Sequence, residues 1–221
     1  MGIGQNLNDI KRGLPEKVKL VAVSKTKPVE AIYEAYKAGH RIFGENKALE
    51  MVDKYELLPR DIEWHFIGHL QTNKVKFIAP FVNLIHSVDS LKLLKVVNSE
   101  AKKNNRIIPC LLQFFIAQES TKFGLSKEEA VKILESQDFA ELKSVQIHGV
   151  MGMASFTDDM NQVKKEFHML KNIFDMLKYN YFADSYFFTE ISMGMSDDYH
   201  AAIDEGSTII RIGSRIFGTR N

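Results

Sequence analysis

Residues 18–39, VKLVAVSKTKPVEAIYEAYKAG, contain one complete strand–loop–helix unit that sets the pattern for the whole chain. The apolar, β-branched run 18–24 predicts a buried strand, and Pro28 is typical of the start of the next element. Residues 29–38 have helical periodicity, and Gly39 stands where a helix C-terminal glycine is expected. This order favours a parallel sheet, because parallel neighbours need a crossover connection.

The same alternation continues to the C-terminus, with no low-complexity segment, internal repeat or linker between domains. Strands are predicted at residues 18–24, 40–44, 64–68, 83–88, 107–115, 145–151, 186–191 and 208–212. Helices are predicted at residues 29–38, 46–57, 72–78, 91–103, 127–135, 160–177 and 197–205. Ser90, Ser126 and Ser196 are predicted helix N-caps, and Gly206 is predicted to follow a helix C-terminus.

Eight strands separated by helices predict an α/β fold, a single closed (β/α)8 TIM barrel, because closure leaves no edge strand exposed. An open, doubly wound sheet is the alternative. The length of 221 residues suits one such barrel. We assign residues 1–17 to a short leader or partial N-terminal helix and residues 18–221 to the barrel domain.

The composition is that of an ordinary soluble globular domain, 45% hydrophobic and 26% charged. A net charge of +1 predicts no binding to nucleic acid or to membranes. The most apolar run, residues 107–117, is too short to span a bilayer. Residues 1–15 do not resemble a signal peptide, and the single cysteine, Cys110, is expected to be a small core residue. We therefore expect a cytoplasmic protein.

Lys25 directly follows the first predicted strand. Burial at such a position costs the ammonium its hydration and favours the neutral, nucleophilic amine. A lysine placed in this way can form an imine with an aldehyde. The alternative is that Lys25 leaves the strand and reaches solvent, since lysines are common at strand ends.

The active face of such a barrel is built from residues that follow each strand. Here these residues are small, polar or amine-bearing: Lys25, residues 44–46, residues 68–69, Ser87, residues 192–196 and residues 213–214. The loops after strands seven and eight are the usual phosphate site. Ser192, Gly213 and Ser214 are therefore expected to donate to a phosphate, although each segment alone is also typical of a capped turn. An aldehyde site opposite a phosphate site favours pyridoxal 5′-phosphate as the ligand.

Arg211 lies among isoleucines in the last predicted strand, where an unpaired charge is costly. We expect it either to face a ligand or to pair with a carboxylate such as Glu190. An arginine only donates hydrogen bonds, so next to a pyridine nitrogen it would keep that nitrogen unprotonated and support carbanion chemistry weakly. Met193 is expected to be core or to line the pocket. His65 and His69 are four residues apart but lie in a strand-like context, so no metal site is expected.

Five segments together resemble the pyridoxal-phosphate homeostasis proteins, which share the barrel of alanine racemase but lack its second domain. The segments are VSKTKP (23–28), FGEN (43–46), HFIGHLQTNK (65–74), SMGMSD (192–197) and RIGSRIFG (211–218). The resemblance runs from about residue 18 to residue 220 and implies fold-type III binding of pyridoxal phosphate. It implies Lys25 as the Schiff-base lysine, Asn46 near the ring, Arg211 at the pyridine nitrogen, and Ser192, Gly213 and Ser214 around the phosphate.

One segment departs from the family pattern. Phe114-Phe115 replaces the usual Val-Asn after Gln113, although Lys122 and Gly124 match. The resemblance implies a protein that holds pyridoxal phosphate and delivers it, with cofactor-requiring recipient enzymes as further partners. A racemase needs a second acid/base on the opposite face of its substrate, which this chain is not expected to supply. The alternatives are a pyridoxal-phosphate-dependent racemase or lyase and a cofactor-free Schiff-base aldolase.

Overall fold

The computed structural model of the protein describes residues 2–118 and 123–218, so Lys122 lies outside the described residues. Within these two ranges the chain forms eight strands between which helices alternate. The strands are Lys19–Val23 (β1), Ile42–Glu45 (β2), Glu63–Phe66 (β3), Leu84–Val88 (β4), Ile108–Phe114 (β5), Val145–Gly152 (β6), Glu190–Ser192 (β7) and Ile209–Ile212 (β8).

Each strand pairs in parallel with the next, and β8 pairs with β1, so the sheet closes on itself. The predicted TIM barrel is therefore confirmed, and the open, doubly wound alternative is wrong. In the register that closes the barrel, Val21 lies opposite Arg211. Closure thus brings Arg211 beside the strand that leads into Lys25.

The helices surround the barrel, and a 3-10 turn, Thr72–Lys74, precedes the fourth. They are Ile3–Arg12 (α1), Val29–Lys37 (α2), Ala48–Leu57 (α3), Val75–Ile78 (α4), Leu91–Lys103 (α5), Lys127–Leu134 (α6), Gln137–Ala140 (α7), Met160–Asn180 (α8), Tyr199–Asp204 (α9) and Ser214–Phe217 (α10). Within the described ranges, none of them is both long and apolar enough to cross a membrane.

The predicted helix ends are mostly confirmed. The side chain of Ser90 caps α5, and Ser126 forms a reciprocal capping box with Glu129 at the start of α6. Gly39 and Gly206 have positive φ angles just after α2 and α9. Ser196 is not an N-cap, because α9 begins only after Asp198.

The seventh strand begins later than predicted. Of the predicted residues 186–191, only the last two belong to β7, which starts at Glu190. Phe188 is fully buried, and its ring stacks on Phe182 at 4.2 Å and on Phe174 of α8 at 4.9 Å between centroids. The aromatic run before β7 therefore reflects packing against a helix rather than pairing in the sheet.

The leader contains a helix, α1, with apolar residues Ile3, Leu7 and Ile10 at helical spacing. Leu7 is fully buried, and α1 packs against α2 and α10. The Asn6 side chain donates to the Ile216 carbonyl at 3.0 Å. The division of the chain after residue 17 stays a prediction.

The core has two layers of unequal size. The outer layer lies between strands and helices and contains most of the buried aromatic residues. The small apolar cluster inside the barrel consists of Val21, Leu84, Leu111, Met151 and Ile209. The barrel interior also holds buried polar residues: His65, His86, Ser192 and Arg211.

A bulge in β6 decides which of its side chains enter the barrel. Cys110 lies opposite Ile147, but Leu111 lies opposite Gly149, so His148 is the extra residue. Gly149 has a φ of +153°, and a Cβ there would lie 1.8 Å from the Glu190 carbonyl oxygen, so only glycine fits. Because of the extra residue, Ile147 packs in the outer layer while Met151 packs inside.

Candidate functional site

A cavity of about 1000 Å³ opens at the carboxyl ends of the strands. Such clefts are the usual place for a ligand in this fold. Five of the seven predicted cofactor-binding residues line it: Lys25, Asn46, Arg211, Gly213 and Ser214. The other two, Ser192 and Met193, are fully buried and do not line the cavity.

Lys25 lies in the turn between β1 and α2 and is half-buried at the cavity wall. The next residue, Thr26, has a φ of 64°. This left-handed conformation is an outlier for a β-branched residue and needs support from its surroundings. The Thr26 N–H donates to Glu50 Oε1 at 2.6 Å, which fixes the turn that presents Lys25.

A buried ion-pair network lies behind this turn. Lys54 Nζ donates to the Ser24 carbonyl at 2.8 Å and to one oxygen each of Glu45 and Glu50 at 2.7 Å. Ser24 Oγ also donates to Glu45 Oε1 at 2.6 Å. Burial raises the pKa of the Glu45 carboxyl, and the Lys54 charge opposes that rise. All three N–H donors of Lys54 are used within the protein. These hydrogen bonds therefore stabilise the turn that contains Lys25.

Asn46 follows β2, lines the cavity and has an unsatisfied side-chain acceptor. Its Oδ1 is buried and accepts no hydrogen bond from any described residue. Gly68 packs so closely that a Cβ there would lie 2.5 Å from the Asn46 carbonyl oxygen. A buried acceptor without a donor is costly, so this geometry fits a ligand that supplies one.

Arg211 brings a buried positive charge to the same cavity. Its Nη1 donates to Ser192 Oγ at 2.5 Å and its Nη2 to the Gly152 carbonyl at 3.0 Å. Burial lowers the pKa of Arg211 to about 10, and the more distant Asp198 opposes that shift. No carboxylate in residues 2–118 or 123–218 forms an ion pair with Arg211, which fits a ligand that provides acceptors.

The predicted alternative for Arg211, an ion pair with Glu190, is wrong. Glu190 lies at the other end of the barrel, where its Oε1 pairs with Lys19 Nζ at 2.5 Å and its Oε2 accepts from Thr208 at 2.8 Å. The two residues are separated along their strands, because Glu190 begins β7 whereas Arg211 stands near the end of β8.

Ser192 has different partners from those expected. Its hydroxyl contacts Arg211 and His86 beneath the cavity, so it does not lie where a phosphate could reach it. The serine that meets Ser214 is Ser196, with 2.9 Å between their Oγ atoms. Both of these serines line the cavity, and they join the loops after β7 and β8. The sequence placed residues 192–196 on the active face, but Ser192 was named as the phosphate donor and Ser196 only as a helix cap.

His69 and Phe123 complete another part of the wall. His69 Nδ1 lies 3.3 Å from Asp89 Oδ2, and its ring stacks on Phe123 with centroids 4.1 Å apart. The described residues contain no group of three or more histidine, cysteine or acidic side chains that could hold a metal ion. Phe114 is buried in the outer layer and Phe115 is partly exposed, and neither lines this cavity.

The fold and the cavity define a class of barrel. The chain belongs to the family described as alanine racemase, N-terminal domain, whose model matches residues 2–221. Within this class it belongs to the pyridoxal phosphate homeostasis proteins, which confirms the resemblance in its sequence motifs. The family member from Aquifex aeolicus is 39% identical over 203 residues, which cover 91% of this chain and 87% of that protein. The member from Homo sapiens is 39% identical over 216 residues, 92% of this chain and 77% of that protein.

A solved structure agrees with this assignment. PipY of Synechococcus elongatus PCC7942, determined with PLP bound, is 34% identical and superposes with a TM-score of 0.88. The match covers 98% of this chain and 100% of that chain. At this identity the likeness extends over the whole barrel, including the end where the cavity opens.

Proposed function

We propose that this protein binds pyridoxal 5′-phosphate as an imine on Lys25, holds the reactive aldehyde, and releases it to enzymes that require it. One observation carries the proposal: Lys25, Asn46 and Arg211 line one cavity, the buried Asn46 amide oxygen is unsatisfied, and Arg211 forms no ion pair with a carboxylate of residues 2–118 or 123–218. The relatives' name and the PLP bound to PipY support it.

The ligand supplies an aldehyde, and the protein supplies the groups that hold it. Lys25 would hold the ligand through its amine, and the aldehyde would supply the carbonyl with which that amine condenses, so that C=N replaces C=O and one water leaves. Addition of water reverses the step and frees the cargo. The Arg211 donors would face the pyridine nitrogen, which would keep it unprotonated, because arginine cannot accept a proton there. Asn46 would lie near the ring.

The loops after β7 and β8 are our candidates for the phosphate site. Gly213 and Ser214 remain in this role, and Ser196 takes the place first assigned to Ser192. Two neighbouring hydroxyls and the backbone of these loops can donate to phosphate oxygens.

Lys25→Ala tests the covalent step. Borohydride reduction of the wild type with pyridoxal phosphate should give an adduct on Lys25 by mass spectrometry, and the variant should give none. Lys27→Ala is the matched control, because Lys27 lines the same cavity two residues further on. It should keep the adduct. An adduct found mainly on Lys27 or Lys74 would overturn the assignment.

Two measurements separate the carrier from the alternatives. A visible absorption band that appears after addition of pyridoxal phosphate distinguishes the carrier from a cofactor-free aldolase. Amino-acid turnover assays distinguish it from a racemase or lyase, and the carrier role predicts none. We propose that the protein acts in the cytoplasm, a reducing compartment in which the free, buried thiol of Cys110 stays reduced.

A further inference from the structure

A chain of buried hydrogen bonds leads away from Arg211 into the barrel. Arg211 Nη1 contacts Ser192 Oγ at 2.5 Å, Ser192 Oγ contacts His86 Nδ1 at 2.9 Å, and His86 Nε2 contacts His65 Nδ1 at 3.0 Å. All four side chains are buried, and they come from β8, β7, β4 and β3. We call Ser192, His86 and His65 the polar column.

The N–H donors of Arg211 fix the direction of the hydrogen bonds along the polar column. Arginine can only donate, so Ser192 Oγ accepts from Arg211 and its own hydrogen must go to another acceptor. His86 Nδ1 is the acceptor within reach. His86 therefore has its proton on Nε2, from which it donates to His65 Nδ1. The opposite direction, in which His86 Nδ1 donates to Ser192 Oγ, would leave the buried Ser192 hydrogen without an acceptor, at a cost of about 1–3 kcal/mol.

His65 and His86 are both neutral in this arrangement of hydrogen bonds. Burial lowers the pKa of His65 to about 3, and the Lys19 charge adds to this effect. Burial, the neighbouring His65 and Arg211 hold the pKa of His86 well below its usual range. A proton on Nδ1 of His86 would also face the Arg211 charge through Ser192. The column thus contributes acceptors to Arg211 without any negative charge.

We propose that Ser192 and His86 are positioning residues, which fix the orientation of Arg211 through this one-way chain of hydrogen bonds. Ser192 and the Gly152 carbonyl each accept one hydrogen from a different terminal nitrogen, which leaves three guanidinium hydrogens for other acceptors. A carboxylate in place of the column would fix Arg211 equally well but would cancel its charge. The proposal rests on the function proposed above where it concerns the ligand.

The ligand-free protein provides a direct test. Two-dimensional ¹⁵N–¹H spectra of histidine-labelled protein at pH 7 distinguish the two neutral tautomers. We expect both His65 and His86 to be neutral and protonated on Nε2, and we expect Ser192→Ala to change the His86 signals. A proton on Nδ1 of His86, or a doubly protonated ring, would overturn the column as described.

Variants of Ser192 and His86 test how the polar column affects ligand binding. Ser192→Ala and His86→Phe should weaken pyridoxal phosphate binding roughly tenfold, equivalent to about 1.4 kcal/mol. They should also shift the pH at which the absorption of the bound ligand changes, because Arg211 no longer stays at the ring nitrogen. His86→Gln, which can accept from Ser192 and donate to His65, should restore the wild-type profile.

Ser207→Ala is the matched control, because Ser207 is a buried, hydrogen-bonded serine of the same barrel that does not contact Arg211. It should leave the pH profile of the bound ligand unchanged. Wild-type profiles in both Ser192→Ala and His86→Phe, or an equal shift in Ser207→Ala, would overturn the positioning role. If the wild type itself binds no pyridoxal phosphate, the proposed function fails, while the tautomer measurement still decides the column.

Discussion

Lys54 is a single residue on which the site depends although it does not enter the cavity. Its ammonium balances the fully buried Glu45 and the partly buried Glu50, and it also holds the Ser24 carbonyl next to Lys25. Removing one partner of a buried ion pair leaves an uncompensated charge, which is far more costly than the loss of a surface pair.

We therefore expect Lys54→Met to lower the free energy of unfolding by about 3–5 kcal/mol, measured by denaturant unfolding. Adding Glu45→Gln should recover part of this loss, because the buried carboxylate is then absent. Lys171→Met is the control, since Lys171 and Asp175 form an i,i+4 pair on the surface. It should cost less than about 1 kcal/mol. Equal losses for the two lysine variants would contradict the network described above.

The loops after β7 and β8 are the elements on which phosphate recognition should depend. Ser196→Ala combined with Ser214→Ala should weaken pyridoxal phosphate by about 100-fold or more, since hydrogen bonds to a charged group contribute about 1.5–3 kcal/mol each. Binding of pyridoxal, which lacks the phosphate, should hardly change. Paired spectroscopic titrations of both ligands measure this difference.

Ser155→Ala is the control for that experiment. Ser155 also lines the cavity, but it lies in the loop after β6 and its hydroxyl donates to Glu166 at 2.8 Å. The Ser155→Ala variant should bind pyridoxal phosphate with an affinity closer to that of the wild type than the double variant does. Equal losses for both ligands in the double variant would show that Ser196 and Ser214 stabilise the loops rather than the phosphate.

The elements also show why sequence predicted some features and missed others. Lys25 could be found because strand, loop and helix follow one another within residues 18–39, so its place depends on local pattern alone. The partners of Ser192 depend on which strands meet inside the barrel. Residue alternation could show that His86 points inward with Leu84, but it could not show that β4 and β7 bring His86 to Ser192. Within β6, the bulge at Gly149 also reverses the alternation between side chains that point into the barrel and side chains that point out of it.

At the scale of the whole molecule, buried histidines predict how stability changes with pH. Burial lowers the pKa of His40 to about 4 and of His65 to about 3, and His86 also lies well below its usual range. In the unfolded chain these groups take up protons near pH 6.5. Below that pH the unfolded state therefore binds more protons than the folded state, so acid favours unfolding.

We expect the free energy of unfolding to fall between about pH 6 and pH 4, with each buried histidine contributing about 1.4 kcal/mol per pH unit. Denaturant unfolding at several pH values measures the slope. His86→Gln should make the slope shallower, whereas replacing the exposed His200 by Asn should leave it unchanged. A slope that does not differ between the wild type and His86→Gln would show that His86 is already protonated in the folded state.

Arg211 is a buried charge that forms no ion pair with a carboxylate of the described residues, so it lowers the stability of the ligand-free protein. A buried charge without an ion-pair partner costs hydration free energy, which the hydrogen bonds to Ser192 and the Gly152 carbonyl offset only in part. The native arginine is useful only when a ligand fills the cavity, and a ligand present at 100 times its Kd adds about 2.7 kcal/mol to the folded state. The empty form is then the more vulnerable one to proteases, and the lifetime of the protein in the cell becomes tied to its supply of cargo.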